Sequence, residues 1–239
     1  MGRRGPKPQF DREEILDRAQ ELILARGLSG LTLTRLATGL NTSASALYRY
    51  FPSKEAIIVG LQERAIEALE RQMRADIEAI DAALADTEMP PQVSALVRCL
   101  VLFRTYGDAD PASRARRRLL RTFLATPDAV LSTVEAQQVN TILGRVIALS
   151  ASCLDHAVAE GALAPGDGVQ RTHVVWAAYH GLQDFEKRDR IQPPALQVQA
   201  LGRLLFTTLF QGFGASSEDI DAAVGYVMRT SSAGPVAYT

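Results

Sequence analysis

Between Thr32 and Lys54 the chain reads TLTRLATGLNTSASALYRYFPSK, a run of hydroxyls, phenols and a few cations. Thr32, Thr42, Ser43, Ser45, Tyr48 and Tyr50 can each donate a hydrogen bond, and Arg35, Arg49 and Lys54 add positive charge. The stretch holds no carboxylate, histidine or cysteine, so it offers neither a general base nor a ligand set. Such groups grip an anionic surface rather than make or break bonds. The remaining residues supply no catalytic constellation either: there is no Gly-rich phosphate loop, nucleophile elbow or HExxH. His156, His173 and His180 are widely spaced, with no carboxylate or cysteine completing a metal set. No enzyme activity, metal or cofactor is expected.

The elements that must position these groups are legible. Thr32 is an N-cap, and Leu33, Leu36, Ala37 and Leu40 follow as one apolar helical face. Asn41 stands where the chain must turn sharply, a place that favours left-handed backbone. Ser43 caps the next helix, whose Ala44, Ser45 and Ala46 are too small for a core face; Pro52 ends it and Ser53 caps another. The result is a helix-turn-helix with Ser43 to Tyr50 as recognition helix. A preceding helix starts at an Asp11–Glu14 capping box and stops at Gly27. Helix geometry turns Thr42, Ser43, Ser45 and Ala46 toward the floor of a DNA groove and sets Tyr48, Tyr50 and Lys54 at its edges. Packing against the first helix is the alternative for Tyr48. Residues 1–9 are a solvated tail or an arm whose Arg3, Arg4 and Lys7 follow phosphates or enter the minor groove. Base readers are scarce, so specificity is expected from Arg35, the arm, methyl contacts and DNA shape.

The octet Leu47-Tyr48-Arg49-Tyr50-Phe51-Pro52-Ser53-Lys54, with Thr32, Leu36-Ala37 and the turn at Asn41, resembles the DNA-binding domain of tetracycline-repressor-type (TetR family) transcription regulators. The motif covers about a fifth of the chain. In that family the turn residue is usually Gly and the next is apolar, whereas this chain has Asn41 and Thr42, so a looser turn is expected. The resemblance implies phosphate contacts from Tyr48, Tyr50 and Lys54, and from Thr32 through the start of its helix.

Charge divides the chain. Residues 1–54 hold nine Arg and Lys against five Asp and Glu, a net of +4, leaving −5 for the rest of a chain whose total is −1. A basic head on an acidic body fits a DNA-binding unit joined to something else. The expected fold is all-α: residues 1–52 a three-helix helix-turn-helix domain with a basic arm, residues 53–239 a larger helical domain for ligand binding and dimerisation. Cys99 and Cys153 lie within apolar helical patterns, and a reduced, cytoplasmic setting is expected. No apolar run approaches the ~20 residues of a membrane span.

In the body, a helix is expected from Ser53 to about Ala85, beginning almost at the recognition helix. Further helices are expected near 92–106 and 112–125. Another is expected to start at a Thr126-Pro127-Asp128 cap and run to Glu160, and two more near 168–188 and 195–213. A last one, boxed by Ser216 and Asp219, runs to about Met228. Phe103, Tyr106, Phe123, Trp176, Tyr179 and His180 either surround an apolar small molecule or are plain core and interface. Arg117 and Arg121, in a cluster spanning Arg114–Arg121, are a solvated face or a clamp for an anionic ligand such as an acyl-coenzyme A. The helices bearing Trp176 and Leu201 resemble the family's last two large helices. The resemblance makes them a four-helix interface with a twofold mate, here through Ala177, Gly181, Leu201, Leu205 and Leu209. The expectation is a homodimeric repressor that binds a palindromic double-stranded operator and is released by an apolar or acyl-type effector. The alternative is a regulator that works constitutively or through a protein partner.

Overall fold

A computed structural model describes residues 10–107, 119–120 and 131–230, with the side chains of residues 106 and 107 outside that description. The described residues are helical, with no strand among them. Helices α1 (Arg12–Arg26), α2 (Leu33–Gly39), α3 (Ala44–Leu47), α4 (Lys54–Ala85), α5 (Pro91–Gly107), α6 (Thr133–Ala159), α7 (Gly168–Gln183), α8 (Val198–Gly212) and α9 (Ser217–Thr230) follow in order. They form two compact units, one holding residues up to 68 with 119–120 and 131–143, the other 69–107 and 144–230.

In the first unit, α1 opens on the expected box: Glu14 N–H donates to Asp11 Oδ1 at 2.9 Å and Asp11 N–H to Glu14 Oε2 at 2.8 Å. Ile15, Leu16, Ala19, Leu22 and Ile23 are buried along one face. Gly27, at φ 71°, stops the helix, and a 3₁₀ turn over Leu28–Gly30, not foreseen, leads to Thr32. Thr32 accepts from Arg35 N–H at 3.2 Å and starts α2. Asn41 has φ 51°, the one non-glycine residue with positive φ among those described, which lets Thr42 N–H reach Ala37 O at 2.9 Å.

Ser43 caps α3 by accepting from Ala46 N–H at 3.3 Å. This helix is shorter than expected: regular helix ends at Leu47, and Tyr48 to Tyr50 form turns. The cause is Pro52, which disfavours helical backbone at Phe51. Leu47 and Phe51 are buried at 0% and 2% exposure in a core with Leu36, Ile57, Ile58, Leu61 and Leu119. Ser53 accepts from Ala56 N–H at 3.0 Å at the start of α4. Gly60 lets α4 approach closely, since a Cβ there would stand 3.2 Å from both Leu16 Cδ2 and Phe51 Cε1. Arg64 on α4 donates to Asp17 Oδ1 at 2.7 Å, Gln20 Oε1 at 3.0 Å and Glu13 Oε2 at 3.3 Å, all on α1.

Helix α6 begins at Thr133 under a box formed by Ser132 and Glu135, with Ser132 N–H donating to Glu135 Oε2 at 2.8 Å. The Thr126-Pro127-Asp128 cap lies outside the described residues, as does the 112–125 helix except Leu119 and Leu120. Although no unbroken apolar run approaches the length of a membrane span, α6 is long and apolar enough to cross a bilayer by length and composition alone, with a mean hydropathy of 1.4 in an 18-residue window. Arg145, Ser150, Ser152 and Asp155 interrupt its apolar residues, which hid it from a search for unbroken runs. Val146, Ala151, Cys153, Leu154 and Ala157 are buried within the protein, as in a core helix.

In the second unit, α4 buries Leu69, Met73, Ile77 and Ile80, and α5 buries Val93, Ala95, Leu96, Val97, Cys99, Val101 and Leu102, so α5 is central as expected. Helix α9 packs on α5, and α7 on α8. Asp167 caps α7 by accepting from Gln170 N–H at 2.8 Å. Helix α7 ends at Gln183, earlier than expected, and α8 starts only at Val198, because Pro193 and Pro194 break the ladder and two 3₁₀ turns fill the gap. The left-handed backbone at Asn41 makes a direct prediction. Asn41→Val, measured by urea unfolding, loses about 1–2 kcal/mol, while Asn41→Gly keeps stability near wild type.

Candidate nucleic-acid interface

Burial of Leu47 and Phe51 fixes which side of α3 faces outward. Ser43 and Ser45 are exposed, with hydroxyl oxygens 2.9 Å apart. Thr42 is half-buried, and Ala46 is half-buried against the core. Tyr48 is 53% exposed. Arg49 is exposed beside it, and Lys54 is half-buried at the start of α4. Arg35 is exposed, but its guanidinium already donates to Gly30 O at 3.3 Å. Tyr50 is half-buried, and its hydroxyl donates to Phe10 O at 2.9 Å. Arg3 and Arg4 lie outside the described residues. The stretch thus presents hydroxyl donors and cations on a rigid support, suited to phosphate and groove contacts.

Of the candidate effector residues, the side chains of Phe103, Trp176, Tyr179 and His180 are among those described. Phe103 on α5 meets Phe206 and Phe210 of α8, with ring centroids 6.1 and 5.8 Å apart; Phe206 and Phe210 stack at 4.0 Å. Trp176 and His180 meet edge to face at 4.7 Å on α7, where Tyr179 is also half-buried. Arg117, Arg121 and Phe123, and the side chain of Tyr106, lie outside the described residues. Sequence reasoning missed Phe206 and Phe210 as partners of Phe103. Their i,i+4 spacing on α8 was the available signal.

Of the candidate interface residues, Ala177 and Gly181 are exposed while Leu201, Leu205 and Leu209 are half-buried. The large apolar side chains standing clear on these two helices are Val169, 47% exposed, Val174, 50% exposed, and Leu204, 61% exposed. None was singled out from the sequence as an interface residue.

A helix-turn-helix head with a larger helical body is the class that this fold and surface define. Residues 15–61 match the family of bacterial regulatory proteins named tetR. The HTH-type transcriptional regulator EthR of Mycolicibacterium smegmatis is 30% identical over 123 residues, 51% of this chain and 54% of EthR. The nucleoid occlusion factor SlmA of Vibrio campbellii is 46% identical over 66 residues, 27% of this chain and 34% of SlmA. The chain therefore spans about half the length of the first relative and a third of the second. Among solved structures, the transcriptional regulator FadR of Bacillus subtilis, in complex with stearoyl-CoA, matches with a TM-score of 0.61 at 18% identity. That match covers 84% of this chain and 99% of FadR. Over residues 15–61 the chain is thus similar to the N-terminal domain of the tetR family.

Away from the interface, Cys99 and Cys153 are buried free thiols, and Cys99 Sγ donates to Cys153 O at 3.6 Å. Burial pushes the Cys99 thiol well above its ordinary 9.0, and the neighbouring Cys153 adds to the rise while Arg98 opposes it. Burial raises Cys153 likewise. The folded protein therefore holds these protons more tightly than the unfolded chain. That stability is fully present below the ordinary value of 9.0 and is lost as pH rises above it. Iodoacetamide at pH 8 is expected to leave both thiols unmodified in the native protein and to alkylate both in urea.

Proposed function

We propose that this protein is a homodimeric, effector-responsive transcriptional repressor and not an enzyme. The observation that carries the reading is the capped helix-turn-helix at Thr32 to Lys54, with exposed Tyr48, inside the segment that matches the tetR family. Two heads would read a palindromic double-stranded operator through recognition helices about 34–36 Å apart or a multiple of that. Val174, Ala177 and Gly181 follow at i, i+3 and i+7 along α7. With Leu204 of α8 they support pairing with a second copy through these helices.

The effector reading is supported by the aromatic group around Phe103 and by the fold shared with FadR, whose structure holds stearoyl-CoA. An apolar or acyl-type molecule would release DNA only if it bound better to a state in which α4 is displaced. Helix α4 continues unbroken past residue 68, so a shift along it reaches the support of the recognition helix. A second reading is a DNA-binding protein that works constitutively or through a protein partner, with no small-molecule effector.

The test uses a duplex obtained by in vitro selection from random sequence. Wild type binds it with a steep salt slope, and one of a panel of acyl-coenzyme A esters relieves binding; tight binding indifferent to the whole panel favours the second reading. Lys54→Ala lowers the salt slope by about one unit. Tyr48→Phe weakens binding about 3- to 10-fold without changing the slope, since a neutral phenol displaces no counterion. By light scattering, Val174→Glu with Leu204→Glu yields a folded monomer; a persistent dimer places the interface elsewhere.

A further inference from the structure

Within α3 the exposed side chain is Ser45; Ala44 and Ala46 are half-buried and Leu47 is buried. The helical path nevertheless runs on past the end of regular helix. Tyr48 keeps right-handed helical backbone, at φ −60° and ψ −18°, and Phe51 N–H donates to Leu47 O at 3.0 Å, the bond of a full helical turn. Burial follows the same turn. Leu47 and Phe51, four residues apart, both lie in the core. Ser45 and Arg49, also four apart, are both exposed, so they share the outward side.

Arg49 is also uncommitted. Arg12 lies 4.8 Å over the Phe51 ring, Arg18 pairs with Glu21 at 2.6 Å, and Arg35 donates to Gly30 O at 3.3 Å. Arg64 holds three side chains of α1. Arg26, exposed as well, belongs to the last turn of α1 and not to the recognition segment. Among the described residues, Arg49 makes no hydrogen bond or ion pair. A guanidinium is planar and offers its donors as a fork, which fits the O6 and N7 acceptors of guanine side by side in the major groove. The small side chains one turn earlier let the backbone come close enough for that fork to reach a base edge.

We infer that Arg49 is the specificity-determining residue of this surface, reading a guanine in each half-site through the major groove. The inference rests on the DNA-binding reading above and supplies the base reader which α3 itself lacks.

The test compares the duplexes that full-length wild type and Arg49→Ala enrich from random sequence, with thermal melts confirming that the variant is folded. Wild type is expected to enrich one guanine per half-site that Arg49→Ala no longer selects. On the wild-type consensus, Arg49→Ala is expected to bind about 5- to 150-fold more weakly. With 7-deazaguanine at that position, which lacks the N7 acceptor, wild type loses affinity while Arg49→Ala changes less than about 2-fold. A guanine that Arg49→Ala still selects, with the same loss on every duplex, would make Arg49 a phosphate contact and overturn the inference. Equal affinity of wild type and Arg49→Ala would reduce it to a solvated surface residue and overturn it too. If folded wild type enriches no duplex at all, the DNA-binding reading itself falls, and the inference with it.

Discussion

A four-residue helix cannot hold itself in place, because nucleating a helical turn costs more than so few hydrogen bonds return. Helix α3 is that short, and everything that gives the surface meaning depends on how it is held. Leu47 and Phe51 hold it from behind by burial; Ser43 satisfies its first turn; Asn41 supplies the left-handed residue that lets α2 hand over to it. With its inner side fixed, only small and hydroxyl-bearing residues face outward, and the aromatic Tyr48 stands clear at its end. Reading a groove through such residues demands close approach, which small side chains permit.

The support beneath α3 is joined to α4 by polar as well as apolar contacts. Gly60 brings α4 against Leu16 and Phe51, while Arg64 spans three side chains of α1. Glu63, its neighbour, accepts from Gln138 of α6 at 2.6 Å within the same unit. Adjacent residues on one turn of α4 therefore bind two different helices. Two of the arginine contacts, to Glu13 and Asp17, are part-exposed ion pairs, each modest in energy.

What was legible in the sequence was local. The Asp11–Glu14 box, the caps at Thr32, Ser43, Ser53 and Ser216, and the turn at Asn41 are written within four residues of where they act, and each stands where expected. What was not legible joins distant residues or depends on competition between neighbours. Tyr50 and Phe10 are 40 positions apart, and Phe103 meets Phe206 and Phe210 only through tertiary packing. The early end of α3 reflects Pro52 overriding a helical pattern that Tyr48 to Tyr50 would otherwise continue. In the candidate site, the Tyr50 hydroxyl turns to the Phe10 carbonyl, and Leu201, Leu205 and Leu209 are half-buried while Val174 and Leu204 are exposed, features that depend on packing and not on local pattern.

The most direct test of the account is a footprint on duplexes enriched from random sequence, mapped by hydroxyl-radical cleavage on both strands. The account predicts a twofold-symmetric footprint whose half-sites are centred about 10 base pairs apart or a multiple of that, as two α3 helices in one dimer require. A single protected patch without symmetry, or a pool that never enriches, would contradict it.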